Sequence, residues 1–150
     1  GGNYYFNHCT ISNYWNHSTR TTPAVVLNDY YEVNGGIEPR RFHKAIFHNS
    51  IIYGNNDNEI TLDTVPGPSV NYLFNHCLIK TDQPVTSKFV SIQKNVDPLF
   101  SSFSRMTISS ISPARGAADN NNRLLLDLDI DEASRPSFPI RTAVGCFENP

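Results

Sequence analysis

The sequence has no excess of basic residues. Its 12 Lys and Arg stand against 14 Asp and Glu, a formal net charge of −2. Proteins that bind nucleic acid electrostatically usually show a basic face, so that class is not expected. Long apolar runs are missing too: nothing approaches the roughly 18–20 residues of a membrane-crossing helix, and no opening stretch reads as a signal peptide. Ala and Glu are scarce, and no window keeps a 3.6-residue apolar period beyond about one turn, so helix is not expected. Cysteine is sparse. Cys9, Cys77 and Cys146 are odd in number and lack metal-ligand spacing, which argues against a disulfide framework or a zinc site.

What is present favours strands. Tyr, Phe, Ile, Val and Thr are plentiful, and Asn, a turn former that tolerates the left-handed backbone region, is abundant. A chain of 150 residues fits one domain with a real core. It opens Gly1-Gly2 and reaches its first patterned strand by Tyr4. So abrupt a start reads as a piece of a longer chain, and the missing signal peptide then says nothing about secretion.

One phrase recurs three times: Phe6-Asn7-His8-Cys9-Thr10-Ile11, Phe47-His48-Asn49-Ser50-Ile51-Ile52 and Phe74-Asn75-His76-Cys77-Leu78-Ile79. Self-similarity at a spacing of tens of residues marks stacked repeats. The 27 residues from Phe47 to Phe74 suit one coil of a β-solenoid. The 41 residues from Phe6 to Phe47 suit one coil with an excursion, in which Ala24 to Tyr31 reads as a strand and a turn. The Asn-His or His-Asn pair marks a bend. The Phe before it and the Ile after it are expected to point inward, as columns Phe6–Phe47–Phe74 and Ile11–Ile52–Ile79. Cys9 and Cys77 share a slot two steps apart, roughly 9–10 Å at a strand spacing of about 4.8 Å. That is too far for a disulfide, which needs α-carbons within about 7 Å.

After Ile79 the phrase is not seen again, although Phe89-Val90-Ser91-Ile92 looks like a further strand. The second half is richer in Pro. Residues 1–94 read as the coils and 95–150 as an irregular segment of the same domain, expected to cover the end of the stack. This tail carries four motifs in order: Asp97-Pro98-Leu99-Phe100; Ser112-Pro113-Ala114 with Gly116 and Asp119; Asp129-Ile130-Asp131 with Arg135 and Pro136; and Gly145 with Phe147 and Glu148. They resemble the C-terminal end of bacterial secreted right-handed parallel β-helix proteins, a broad family similar in fold to pectate lyases. Its tails commonly read DPLF, SPAIDAGD, DIDGNPRP and DIGAYE. The stretch from Ile52 to Ile60 is similar to that family's strand and loop ahead of the last coil. Two positions depart: Glu132 stands where the family has Gly, and Ala143 where it has Asp.

The resemblance implies an all-β fold: the last few coils of a right-handed parallel β-helix with an irregular C-terminal cap. It implies an exported bacterial protein, extracellular or on the cell surface, attached to the outer membrane, and linked to polysaccharide or adhesion. Its partners would be a polysaccharide or cell-surface glycan and upstream coils of the same protein.

Candidate chemistry is thin. Asp127, Asp129 and Asp131 alternate with Leu126, Leu128 and Ile130. Clustered carboxylates suit calcium, but an EF-hand counted from Asp127 has Glu132 in place of its Gly and Phe138 in place of its bidentate Glu. The simpler reading is a strand with one buried face. Asp129, Asp131, Arg135 and Glu148 are expected to hold the cap together. His8, His48 and His76 recur with the phrase and are expected to be outward turn residues. The carboxylates among the repeats share no slot, as a glycosidase pair would require, so no catalytic residue, metal ligand or cofactor is named beyond the calcium alternative. Tyr14, Trp15, Tyr30 and Tyr31 lie near loops and are the carbohydrate-binding candidates, since flat aromatic faces meet sugar rings. The leading expectation is a structural or polysaccharide-binding part of a secreted or surface protein. The alternatives are a polysaccharide lyase or glycoside hydrolase with its active site mainly upstream, and an adhesin-like spacer.

Overall fold

A computed structural model of the chain describes residues 1–67, 70–122, 127–136 and 140–148. Among them the protein is all-β, with several parallel sheets, no closed barrel and one short 3₁₀ turn, Asn120–Asn122. The strands run β1 Asn3–Asn7, β2 Thr10–Asn13, β3 Val25–Asn28, β4 Tyr30–Val33, β5 Gly36–Pro39, β6 Lys44–His48, β7 Ile51–Gly54, β8 Ile60–Asp63, β9 Tyr72–Asn75, β10 Leu78–Ile79, β11 Phe89–Val90, β12 Gln93–Lys94, β13 Phe100–Ser102 and β14 Thr107–Ile108.

The phrase builds two four-stranded parallel sheets. The first has order β1-β6-β9-β11 and the second β2-β7-β10-β12. Each first-sheet strand bends into the second-sheet strand of its own layer. The bend residue takes a left-handed φ each time: 52° at His8, 50° at Asn49, 50° at His76 and 51° at Ser91. Short polar and imidazole side chains enter that region more readily than β-branched ones. Pairing sets Phe6 opposite Phe47 and Phe47 opposite Phe74, and Ile11 opposite Ile52 opposite Ile79. Both expected columns are therefore present. The rings stack at 4.5 Å and 4.7 Å between centroids, close to the strand spacing of about 4.8 Å. Phe47 and Phe74 are 1 % and 0 % exposed; burying such a side chain stabilises by about 1.5–3 kcal/mol.

Direct pairing of β1 with β6 makes the 41-residue interval a single layer. Its extra residues form the antiparallel hairpin β4–β5, while β3 continues the layer by pairing with β8. A fourth layer follows where the further strand Phe89-Val90-Ser91-Ile92 was expected, although the phrase itself is not repeated there. Phe89 pairs with Phe74 and stacks on it at 5.1 Å, and Ser91 takes the bend. The copy is worn: Lys94 fills the isoleucine slot against Ile79.

The middle strands of the second sheet, β7 and β10, are buried on both faces. Ile52 and Ile79 join the Phe cluster, while their neighbours Ile51 and Leu78 pack with Ile108, Ala114, Ala118, Ala143 and Val144 of the tail. Paired apolar residues, Ile51-Ile52 and Leu78-Ile79, are the mark of a strand covered on both sides. The tail thus lies along the side of the second sheet, whereas it was expected to cover the end of the stack. Gly145 is fixed there by close approach. Its φ is 97°, and an added β-carbon would come within 2.8 Å of Thr10 Oγ1 and 2.9 Å of Ile51 Cδ1.

The Asp–Leu alternation is not a half-buried strand. Leu128 and Ile130 are 48 % and 66 % exposed, while Asp129 is 9 % exposed. Leu126 and Phe138 lie outside the described residues. Asp129 organises a turn, accepting backbone N–H groups of Asp131, Ala133 and Glu148 at 2.8, 2.9 and 2.8 Å. Glu132 holds the left-handed φ of 63° without being Gly.

Candidate functional site

The four carbohydrate-binding candidates do not form one platform. Tyr14 is half-buried against the tail, edge-on to Phe100 at 6.0 Å and Phe103 at 4.9 Å. Burial, then the charge of Asp97, pushes its phenol above the ordinary tyrosine range. Tyr30 donates its hydroxyl to Asp63 Oδ2 at 2.7 Å, and that bond raises its pKa. Tyr31 is 42 % exposed and carries Arg40 over its ring at 5.0 Å, with a bond from the guanidinium to its hydroxyl at 3.1 Å. Trp15 is 52 % exposed yet held in place. Its indole N–H donates to Ser18 Oγ at 2.9 Å, its backbone N–H donates to Asn13 Oδ1, and its carbonyl accepts from Asn55. Its ring meets His17 edge-on at 4.9 Å, beside a shallow depression edged by Thr19, Thr21 and Thr22.

The fully buried carboxylates of the layers are tied to arginines. Glu59 is fully buried, pairs with Arg20 and accepts the backbone N–H groups of Ala24 and Asn56. Asp29 is fully buried, pairs with Arg41 at 2.6 Å and accepts from Val65 N. These contacts pin loops to layers. Among the described residues, no three His, Cys, Asp or Glu side chains come together as a metal site. The cysteines are free, with Ser50 aligned between Cys9 and Cys77. Burial pushes the Cys77 thiol up to about 12 and raises Cys9 also, so neither is a ready nucleophile.

Three of the four cap residues form a buried cluster, and the fourth is exposed. Arg135 reaches Glu148 at 2.7 Å with side chains 2 % and 9 % exposed, and also donates to the Gly145 and Cys146 carbonyls. Glu148 accepts the Ala143 N–H at 2.8 Å. Burial outweighs Arg135 and leaves the Glu148 carboxyl above its usual range. Asp131 stands apart, at the surface, held by Arg105 at 2.6 Å.

The histidines are not uniformly outward. His8 is 3 % exposed. Its Nδ1 donates to the Ala143 carbonyl at 3.1 Å, and its Nε2 accepts from Asn49 Nδ2 at 3.2 Å. Asn49 completes the seam, accepting from Asp119 N and donating to Asp119 O. A stacking slot that first suggested a surface turn is thus a tie between layers and tail. His48 is half-buried, and desolvation lowers its pKa.

The two ends of the stack differ. At one end β1, β2 and β3 each pair on one side only, leaving edges of five, four and four residues. There Phe6, Ile11 and Leu27 line a concavity of about 530 Å³ with Tyr4, Arg40 and Phe42. At the other end β11 and β12 are two residues each, and Lys94 sits on the edge. Short strands and edge lysines blunt an edge against further pairing. Comparison with family models, with curated proteins and with solved structures finds no match to this chain.

Proposed function

We propose that the chain is the closing end of a right-handed parallel β-helix from a secreted or cell-surface bacterial protein, and that it holds polysaccharide without cleaving it. The architecture is supported by the long edges of β1, β2 and β3 beside the uncapped Phe6 ring. A further coil with an aromatic over Phe6 and an aliphatic over Ile11 would repeat an aromatic contact made three times and an aliphatic contact made twice below it. The encoded sequence ahead of Gly1 tests this: the aromatic–bend–isoleucine phrase is expected there, and its absence would refute the upstream coil.

Trp15 carries the binding part of the reading. A flat, exposed ring with its N–H fixed and hydroxyls alongside suits the CH face and the rim of a sugar. Holding without cleavage is favoured because Glu59 and Asp29 are tied to arginines. Retention on a panel of polysaccharides, with absorbance of unsaturated product and reducing ends followed in parallel, checks both. Retention without product, lost in Trp15→Ala, is expected. Product formation, or no retention on any polysaccharide, would contradict it.

A further inference from the structure

Two lysines line one groove along the first sheet. Register sets Lys44 in the layer of Tyr5's partner strand, with Tyr5 opposite Ile46 opposite Leu73 and Asn7 opposite His48 opposite Asn75. Tyr5 is 64 % exposed. A groove of about 310 Å³ runs here, lined by Tyr5, Lys44, His48, Asn71, Tyr72 and Lys88. Each ammonium is pinned over a ring: Lys44 Nζ at 5.5 Å from Tyr5, Lys88 Nζ at 5.7 Å from Tyr72. Neither lysine enters any ion pair found among the described residues. His48 Nδ1 is buried there without a hydrogen-bond partner.

We infer that this groove takes a stretch of glycan chain bearing sulfate or phosphate esters, with Lys44 beside Tyr5 and Lys88 beside Tyr72 each meeting an ester group. The inference rests on the polysaccharide reading above and adds the charge of the sugar and a second place of contact. Arginine's fork matches carboxylate and phosphate alike, whereas lysine meets an anion as a point charge with three rotatable donors, as it commonly does for phosphate. The neighbouring Arg41 is already held by Asp29 and the Pro66 carbonyl. Asn71 and Ser87 at the rim supply amide and hydroxyl partners for sugar hydroxyls. Nucleic acid also carries phosphate, but its bases need open ring faces, and here a lysine sits over each ring, on a chain of net charge −2.

The test is affinity electrophoresis of the whole chain in dextran sulfate, a phosphomannan, polygalacturonate and plain dextran. The ester polymers are expected to retard it most, and comparing the two separates sulfate from phosphate. Lys44→Gln with Lys88→Gln keeps the apolar stems and should weaken ester binding at least tenfold, with an unchanged thermal transition. Lys94→Gln, on the second sheet, should leave ester binding intact. Equal loss in Lys94→Gln would overturn the site. So would polygalacturonate binding as tightly as the esters, or full competition by a single-stranded oligonucleotide. Plain dextran retained with no gain from esters would sink this inference alone; no retention by any polymer would sink the polysaccharide reading with it.

Discussion

The stacked layers and the tail are held together differently. The layers repeat one device: a Phe ring on a Phe ring, an aliphatic on an aliphatic, a left-handed bend above its own copy. The tail uses single polar ties, each made once: Asp129 to three backbone N–H groups, Arg135 to Glu148, and Asn49 and His8 to Asp119 and Ala143. Damage to a layer is therefore expected to spread through the stack, and damage to a tie to loosen the tail first.

The largest effect should come from the middle of the column. Phe47→Ala leaves a cavity between two rings and should cost about 3–5 kcal/mol in denaturant unfolding, with layers and tail lost in one transition. Next, Arg135→Met strands the Glu148 carboxylate in a buried site, a change that typically costs about 3 kcal/mol or more. Here hydrogen exchange should quicken first in residues 97–148 while Phe47 and Phe74 stay protected. If both substitutions melt the molecule identically, the two regions are one cooperative unit and the contrast fails. His8→Ala removes two buried hydrogen bonds across the seam and should cost about 2 kcal/mol, read as a lowered denaturant midpoint.

These contrasts track what was legible in the sequence. The Phe and Ile columns could be read because stacking forces like onto like at a constant slot. The fourth layer could be read only as a further strand at Phe89, since Phe89 kept the aromatic but Ile79's partner had become Lys94. The site of the tail was hidden for a different reason. Ile51-Ile52 and Leu78-Ile79 signal strands buried on both sides, yet the doublet names no partner, and the tail pairs by polar ties without periodicity. Asp129 misled because a carboxylate satisfied by three backbone donors can be buried while the leucine beside it is not. His8 misled because its slot matches His76, and only the tail distinguishes them. Of the binding candidates, exposure could not be read from sequence: Trp15 stayed open, whereas Tyr14 was covered by Phe100 and Phe103.

Two smaller effects sharpen the contrast. Glu132→Gly relieves a left-handed φ of 63° and should stabilise the tail turn by about 0.5–1 kcal/mol, seen as a higher midpoint. In the layers, His48 has a folded pKa below its ordinary 6.5 because burial disfavours the imidazolium. The unfolded chain then binds the extra proton more readily. Stability from this group is present above about 6.5 and is lost as pH falls through the folded value. His48→Asn, which copies Asn7 and Asn75 in the neighbouring layers, should flatten that slope in melts between pH 7 and pH 5.

Amide hydrogen exchange across the first sheet tests the stack most directly. Strands β6 and β9 are paired on both sides and β1 on one. The account predicts that Ile46, Phe47 and Phe74 exchange slowest of all, while the β1 amides on its free edge exchange like an exposed turn. Uniform protection along β1, or rapid exchange at Phe47, would contradict it.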